Sequence, residues 1–286
     1  MGKATREAYG NALARIGKEN TNIIVLDADL SKSTKTDTFK AVCPERFFNV
    51  GIAEQNLISV GAGLAAAGKI PFVSSFSMFA TGRAFEQIRN AVCYPKLNVK
   101  VCATHAGITV GEDGATHQSL EDISCMRTLP NMTVVVPADE RETEAVIEWA
   151  ASYNGPVYVR LGRAGVDDVT TEGYSFVPGK STILVDGSDA TIIACGALVG
   201  PAVEASKTLS ESNISARVIN MASIKPIDAE AIIKAAAETG AIVTAEEHNI
   251  IGGLGSAVSE VVVSNKPVPM EFVGVQDTFG ESGTPK

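Results

Sequence analysis

The chain has 286 residues, 45% of them hydrophobic and 20% charged, with a formal net charge of −9. That length suits one or two domains with a packed core, and the acidic balance argues against a nucleic-acid or anionic-membrane surface as the main partner. No apolar run approaches the ~20 residues that span a bilayer, and the opening MGKATREAYGNALARIGK has no signal-peptide core. A cytoplasmic location is expected, with the five cysteines (Cys43, Cys93, Cys102, Cys125 and Cys195) reduced, since their number is odd and no CxxC pair occurs.

A helical spacing of charged and apolar residues runs over 4–17. Strand-like runs follow at 23–28 (IIVLDA), 47–50 (FFNV), 70–75 (IPFVSS), 98–104 (NVKVCAT), 132–138 (MTVVVPA) and 156–161 (PVYVRL). They are nearly continuous in apolar residues, as strands buried on both faces of a parallel sheet should be. Helical stretches separate them at 53–68, 83–93 and 139–153. This alternation predicts an α/β fold with a βα-wound parallel sheet. Periodicity fades over 164–182, which reads as a linker. It resumes with strands at 190–196, 214–221, 241–247 and 268–275 and helices at 197–212 and 228–240, the latter stopped by Gly240. The expected organisation is therefore a first α/β domain over 1–163, a linker over 164–182 and a smaller α/β domain over 183–286.

Ligands of such sheets collect at the carboxyl ends of the strands. DLSKST leaves the first strand, GIAEQN the second and the segment 104–118 the fourth, while Arg160 sits near the end of the sixth. Four polar segments are thus expected on one sheet edge. The segment 104–118, THAGITVGEDGATHQ, holds two of the chain's three histidines, His105 and His117, with Glu112, Asp113 and three glycines between them. An ordinary turn, a metal site and a polar ligand site all fit these residue types. Glu54 stands in the first turn of a helix, either as a carboxylate favoured by the helix dipole or as one held among apolar neighbours for proton transfer. Phe76 and Phe79 are core aromatics or the floor of a pocket for a planar heterocycle. GAGLAA (61–66) fits a dinucleotide fingerprint but lies within a helical run, where small residues bring a helix close to a sheet. GGLGSAV (252–258) lacks the third small residue, and no P-loop or GxSxG elbow occurs.

VGIAEQN, SFSMFATGRAFEQIR and THAGITVGEDGATHQSLEDISCMRTLPNMTVVVPAD together resemble the pyrimidine-binding half of transketolase, and the region after the linker resembles the transketolase C-terminal domain. The resemblance implies an enzyme that transfers a two-carbon ketol unit between sugar phosphates with thiamine diphosphate. The GDG motif of the family's other half is missing. The chain therefore resembles the C-terminal subunit of a split transketolase, expected in an α2β2 heterotetramer whose N-terminal subunit holds the diphosphate and its Mg²⁺ or Ca²⁺. By the same resemblance Glu54 would hydrogen-bond the aminopyrimidine, Phe79 would stack on it, Phe76 would line its pocket and Ile52 would wedge the cofactor into its bent shape. Asp29 would be a structural aspartate near the cofactor and the subunit interface. Asp113 would contact a sugar hydroxyl, His117 the donor oxygens, and Arg6, Ser33, His105 and Arg160 a phosphate, with the loop's glycines letting the backbone pass close to ligand. No metal ligand is expected in this chain.

Gly82 departs from the pattern, for many transketolases carry Tyr there. Deoxyxylulose-phosphate synthase is the nearest rival, with Asp-Arg where this chain has Thr104-His105. The beta subunit of the pyruvate dehydrogenase first component, a metal-binding module and a non-catalytic scaffold of the same fold are further alternatives.

Overall fold

Valine- and isoleucine-rich runs closed by polar turns become the strands of two sheets in the computed structural model, which describes residues 2–285. The first half runs α1 (Thr5–Glu19), β1 (Ile23–Asp27), α2 (Ser31–Thr34), α3 (Asp37–Val42), β2 (Phe47–Asn49), α4 (Glu54–Ala66) and β3 (Ile70–Ser74). It continues with α5 (Phe85–Gln87) between π-helical turns at Met78–Arg83 and Ile88–Cys93, then β4 (Lys100–Ala103), α6 (Asp122–Thr128), β5 (Thr133–Val135), α7 (Glu140–Ser152) and β6 (Val157–Arg160). The second half holds β7 (Thr182–Val185), β8 (Ala190–Ala194), α8 (Val199–Glu211), β9 (Ala216–Asn220), β10 (Ser223–Lys225), α9 (Ala229–Thr239), β11 (Ile242–Asn249), α10 (Leu254–Asn265) and β12 (Met270–Val275).

The first sheet has the order β10-β5-β6-β4-β3-β1-β2, and the second β12-β11-β8-β9-β7. Pairing is parallel except at β10 and β7, which run antiparallel to β5 and β9. Neither of these two strands stands out in the sequence, because each is short and its partner is distant. Although it comes from the second half, β10 completes the first sheet and so ties the halves together. The expectation that 47–50 is buried on both faces fails: β2 is an edge strand, and Phe48 is 48% exposed. The 83–93 stretch, expected to be a plain helix, is partly π-helical. Within 164–182, Asp139 accepts hydrogen bonds from Val169 N and Thr170 N at 2.9 and 2.7 Å, and Tyr174 Oη donates to Glu142 at 2.5 Å. This segment is therefore tied to the start of α7.

Both glycine clusters weighed as nucleotide fingerprints serve packing. A Cβ on Gly61 would sit 2.7 Å from Val73 Cγ1, so its absence lets α4 lie directly on β3. At Gly253, before α10, a Cβ would meet Glu246 Oε2 at 2.0 Å. The Glu246 carboxylate instead accepts Leu254 N and Gly255 N at 2.7 and 2.8 Å, filling the anion position of that helix N-terminus.

Candidate active site

The carboxyl edge of the first sheet gathers residues from α1, α2 and the segments after β3 and β4. Phe76 and Phe79 follow β3, and a parallel bridge joins Phe76 to Thr104 just past β4. The Phe76 ring lies 5.8 Å from Phe79 at 20° and 3.8 Å from the His105 imidazole at 23°. The His117 ring meets Phe79 edge-on at 5.2 Å. Arg6, from α1, puts Nη1 2.9 Å from Ser33 O and 3.4 Å from His105 Nε2. The side chains of Arg6, His105, Phe76, Phe79 and His117 and the Ser33 carbonyl thus form one continuous surface.

His105 is a neutral imidazole held as an acceptor. Burial, then the nearby Arg6, Arg163 and His117, lower its pKa to about 3. An arginine can only donate, so Nε2 accepts from Arg6 and the proton sits on Nδ1, 2.8 Å from Thr104 Oγ1. A measurable consequence is that its ring resonances stay those of the neutral form from about pH 8 down to about pH 5, a range in which an ordinary histidine titrates. A titration midpoint near 6.5 by NMR would contradict this geometry. The same shift makes folding costlier in acid. Above about pH 6.5 the ring is neutral in folded and unfolded chain alike; as pH falls towards 3, only the unfolded chain gains the proton.

Glu54 opens α4 and is only 4% exposed. Arg83 Nη1 donates to both of its oxygens, at 3.2 and 3.3 Å, and Ser75 Oγ stands 3.5 Å from Oε1. The Arg83 guanidinium carbon also lies 4.0 Å from the Phe79 ring centroid. Beside this trio opens a cleft of about 800 Å³, lined by Met78, Phe79 and Arg83 together with Asp277, Thr278 and Phe279. Phe79 and Arg83 line this cleft, with Glu54 behind Arg83 and the His117 ring edge-on to Phe79; an aromatic face with a buried carboxylate and an imidazole close by suits a planar nitrogen heterocycle and a polyhydroxylated substrate.

Other expected residues stand apart. Ile52 is 77% exposed. Asp29 is exposed in a left-handed turn (φ 66°), accepting from Asn49 Nδ2 at 2.7 Å. The buried aspartate of that loop is Asp27, which accepts Leu30 N, Thr34 Oγ1 and Thr36 Oγ1 at 2.6, 2.7 and 2.9 Å. Asp113 is exposed on the outer turn of its loop.

Arg160 departs most from the phosphate-binding expectation, because its guanidinium points inward. Nε and Nη2 grip Asp122 at 2.8 and 3.2 Å, and Nη2 also donates to Ser119 O and Glu247 O at 3.3 and 2.8 Å. Three residues on, Arg163 lies past the strand end, close enough to His105 and Arg6 to lower the pKa of both. It also pairs with Glu112 at 3.1 Å. In VYVRLGR it is therefore Arg163, not Arg160, that stands at the sheet edge. The spacing held the signal, since a residue beyond the strand reaches the edge whereas one within it faces the core.

The glycines of 104–118 also differ from expectation. They give way to the chain's own second half rather than to ligand. A Cβ on Gly107 (φ 85°) would lie 2.2 Å from Glu247 Cδ, and one on Gly114 (φ 70°) 2.3 Å from Ser282 Oγ. Glu247 Oε1 accepts Thr109 N at 2.6 Å, and Gln118 Nε2 donates to Glu281 O at 3.1 Å. The second domain therefore braces the histidine loop. The metal reading of this loop finds no support: among the described residues no group of three or more His, Cys, Asp or Glu could hold an ion. Nor is any helix among them long and apolar enough to cross a membrane.

Comparison with known proteins places the whole chain. Residues 1–167 match the family model "Transketolase, pyrimidine binding domain", and residues 179–286 the model "Transketolase, C-terminal domain". A Methanocaldococcus jannaschii protein named as a transketolase C-terminal section is 54% identical over 98% of this chain and 89% of its own length. The 6-deoxy-6-sulfo-D-fructose transketolase subunit of a Clostridium species is 43% identical over 97% of this chain and 86% of its own. A 1-deoxy-D-xylulose-5-phosphate synthase of Geobacter sulfurreducens is 41% identical over 96% of this chain but 44% of its own. Among solved structures, a split gene transketolase described as an inactive β4 tetramer superposes with a TM-score of 0.91 at 58% identity, covering 97% of this chain and 91% of that one. The transketolase from Leishmania mexicana superposes with a TM-score of 0.83 at 28% identity, covering 99% of this chain and 42% of that one.

Proposed function

The chain belongs to the transketolase family, and from that premise we propose that it is the C-terminal subunit of a split transketolase. With an N-terminal subunit, in an α2β2 assembly, it moves a two-carbon ketol unit from a ketose phosphate to an aldose phosphate. The observation that carries this reading is Glu54: a buried carboxylate joined through Arg83 to the Phe79 face of the cleft.

The residues present fit one end of thiamine diphosphate. Phe79 and Phe76 offer the flat wall and Glu54 the acceptor that an aminopyrimidine needs. The sequence lacks the GDG motif that the family's other half uses for the diphosphate, so in this reading the diphosphate and its Mg²⁺ or Ca²⁺ are held by the partner. Bound thiamine diphosphate supplies the carbon nucleophile that no side chain here offers. In this reading Glu54 hydrogen-bonds the pyrimidine ring nitrogen and shares its proton there. His117, edge-on to Phe79, holds the hydroxyl protons of the donor sugar, and Asp113 reaches a further hydroxyl from the loop's outer turn. Ile52 and Asp29, both exposed beside β2, face the partner and the cofactor it carries.

Arg6, His105, Ser33 and, in place of Arg160, Arg163 form the phosphate grip. Arg6 Nε is buried without a hydrogen-bond partner, and His105 stays neutral between two guanidinium groups. An incoming phosphate relieves both strains at once.

Mixing tests the assignment. The chain alone is expected to show no ketol transfer, and transfer should appear when the N-terminal subunit, thiamine diphosphate and Mg²⁺ are added. Full activity of the chain by itself would sink the split-subunit reading.

A further inference from the structure

Arg83 takes up both features that a planar heterocycle would use in this pocket. Its guanidinium carbon lies 4.0 Å from the Phe79 centroid, and its Nη1 spans both Glu54 oxygens at 3.2 and 3.3 Å. A guanidinium is flat, donates N–H bonds in its plane and stacks on aromatic faces. An aminopyrimidine presents the same two valences, a π-face and a nitrogen edge directed at a carboxylate. The two cannot occupy one place together. The pairing also answers a need of the unloaded chain. Apart from Arg83, Glu54 has only the Ser75 hydroxyl at 3.5 Å, and a buried carboxylate left without donors is costly.

Resting on the cofactor reading above, we infer that Arg83 is a built-in plug of the pyrimidine pocket, exchanged for the aminopyrimidine as cofactor arrives. The exchange is physically accessible. The Arg83 side chain is 52% exposed, so it can swing away without breaking the core. The cleft it faces is lined by Glu121 and Asp277, carboxylates to which a displaced guanidinium can turn. Glu54 passes from the Arg83 N–H to a hydrogen bond in which it shares a proton with the ring nitrogen, and is never left bare. The plug thus protects the carboxylate while the pocket is empty, at the cost of apparent cofactor affinity.

The test is calorimetric titration of thiamine diphosphate, with Mg²⁺ present throughout, into the chain assembled with its N-terminal subunit. Wild type is compared with Arg83→Ala and Arg83→Gln. A pocket closed about nine-tenths of the time weakens apparent affinity ~10-fold, so both variants are expected to bind ~10-fold more tightly than wild type. Binding that is unchanged or weaker in the variants overturns the plug while leaving the cofactor reading intact. Failure of the wild-type assembly to bind thiamine diphosphate at all overturns the cofactor reading itself, and the plug with it.

Discussion

Glu54→Gln in the assembled enzyme is expected to cut turnover by at least ~100-fold, the scale of a lost proton-transfer group, with little change in KM for either sugar. The substitution keeps the size of the side chain and one carbonyl acceptor for Arg83, so the burial at the start of α4 and the ion-dipole contact persist. What disappears is the group able to take and share a proton at the pocket wall. Because Glu54 contacts Arg83 and Ser75 rather than the histidine loop, the loss should sit in kcat. Circular dichroism and co-purification with the N-terminal subunit should be unchanged, separating this loss from misassembly. Near-normal turnover would remove the assigned role of Glu54 and with it the main support for the functional reading.

Arg160 and Arg163, three residues apart, are expected to fail in opposite ways. Arg160→Met strands Asp122, a fully buried carboxylate that also accepts Tyr158 Oη at 2.7 Å. Removing one member of such a pair costs about 3–5 kcal/mol, read as a lowered midpoint in chemical denaturation. Burial pushes the Asp122 carboxyl up, but Arg160, aided by His248, holds it below its ordinary 3.8. The contribution of this pair is therefore present above that pH and lost as pH falls through the folded value. Arg163→Ala breaks a partly exposed pair with Glu112 and a hydrogen bond to Val110 O, and should leave stability nearly unchanged. It should instead raise KM for phosphorylated acceptors ~10-fold or more while sparing unphosphorylated ones, as the loss of one charge-assisted phosphate contact would. A stable Arg160→Met that loses phosphate selectivity would reverse the two assignments.

Most of the fold was legible because parallel strands carry their own signature. Residues 23–28, 70–75 and 156–161 are apolar without alternation, and the structure covers both faces of the strands found there. The pattern failed where position in the sheet, rather than composition, decides burial. FFNV reads like a buried strand, but β2 has a neighbour on one side only, so Phe48 stays exposed. The short β10 is invisible locally because β5, which it completes, lies some ninety residues earlier.

Taken alone, the sequence determined which chemistry the site can do. Its order of strands sends Glu54, Phe76, Phe79, His105 and His117 to one sheet edge, since each leaves the carboxyl end of a parallel strand. Only the tertiary structure decided what each polar group faces, because that depends on residues far away in the chain. Asp122 and Glu247 turn Arg160 inward and leave the edge to Arg163. Glu247 and the segment 281–285 claim the space beside Gly107, Gly111 and Gly114 that the sequence seemed to offer to ligand. Burial between two guanidinium groups makes His105 a neutral acceptor, a property that no local pattern encodes.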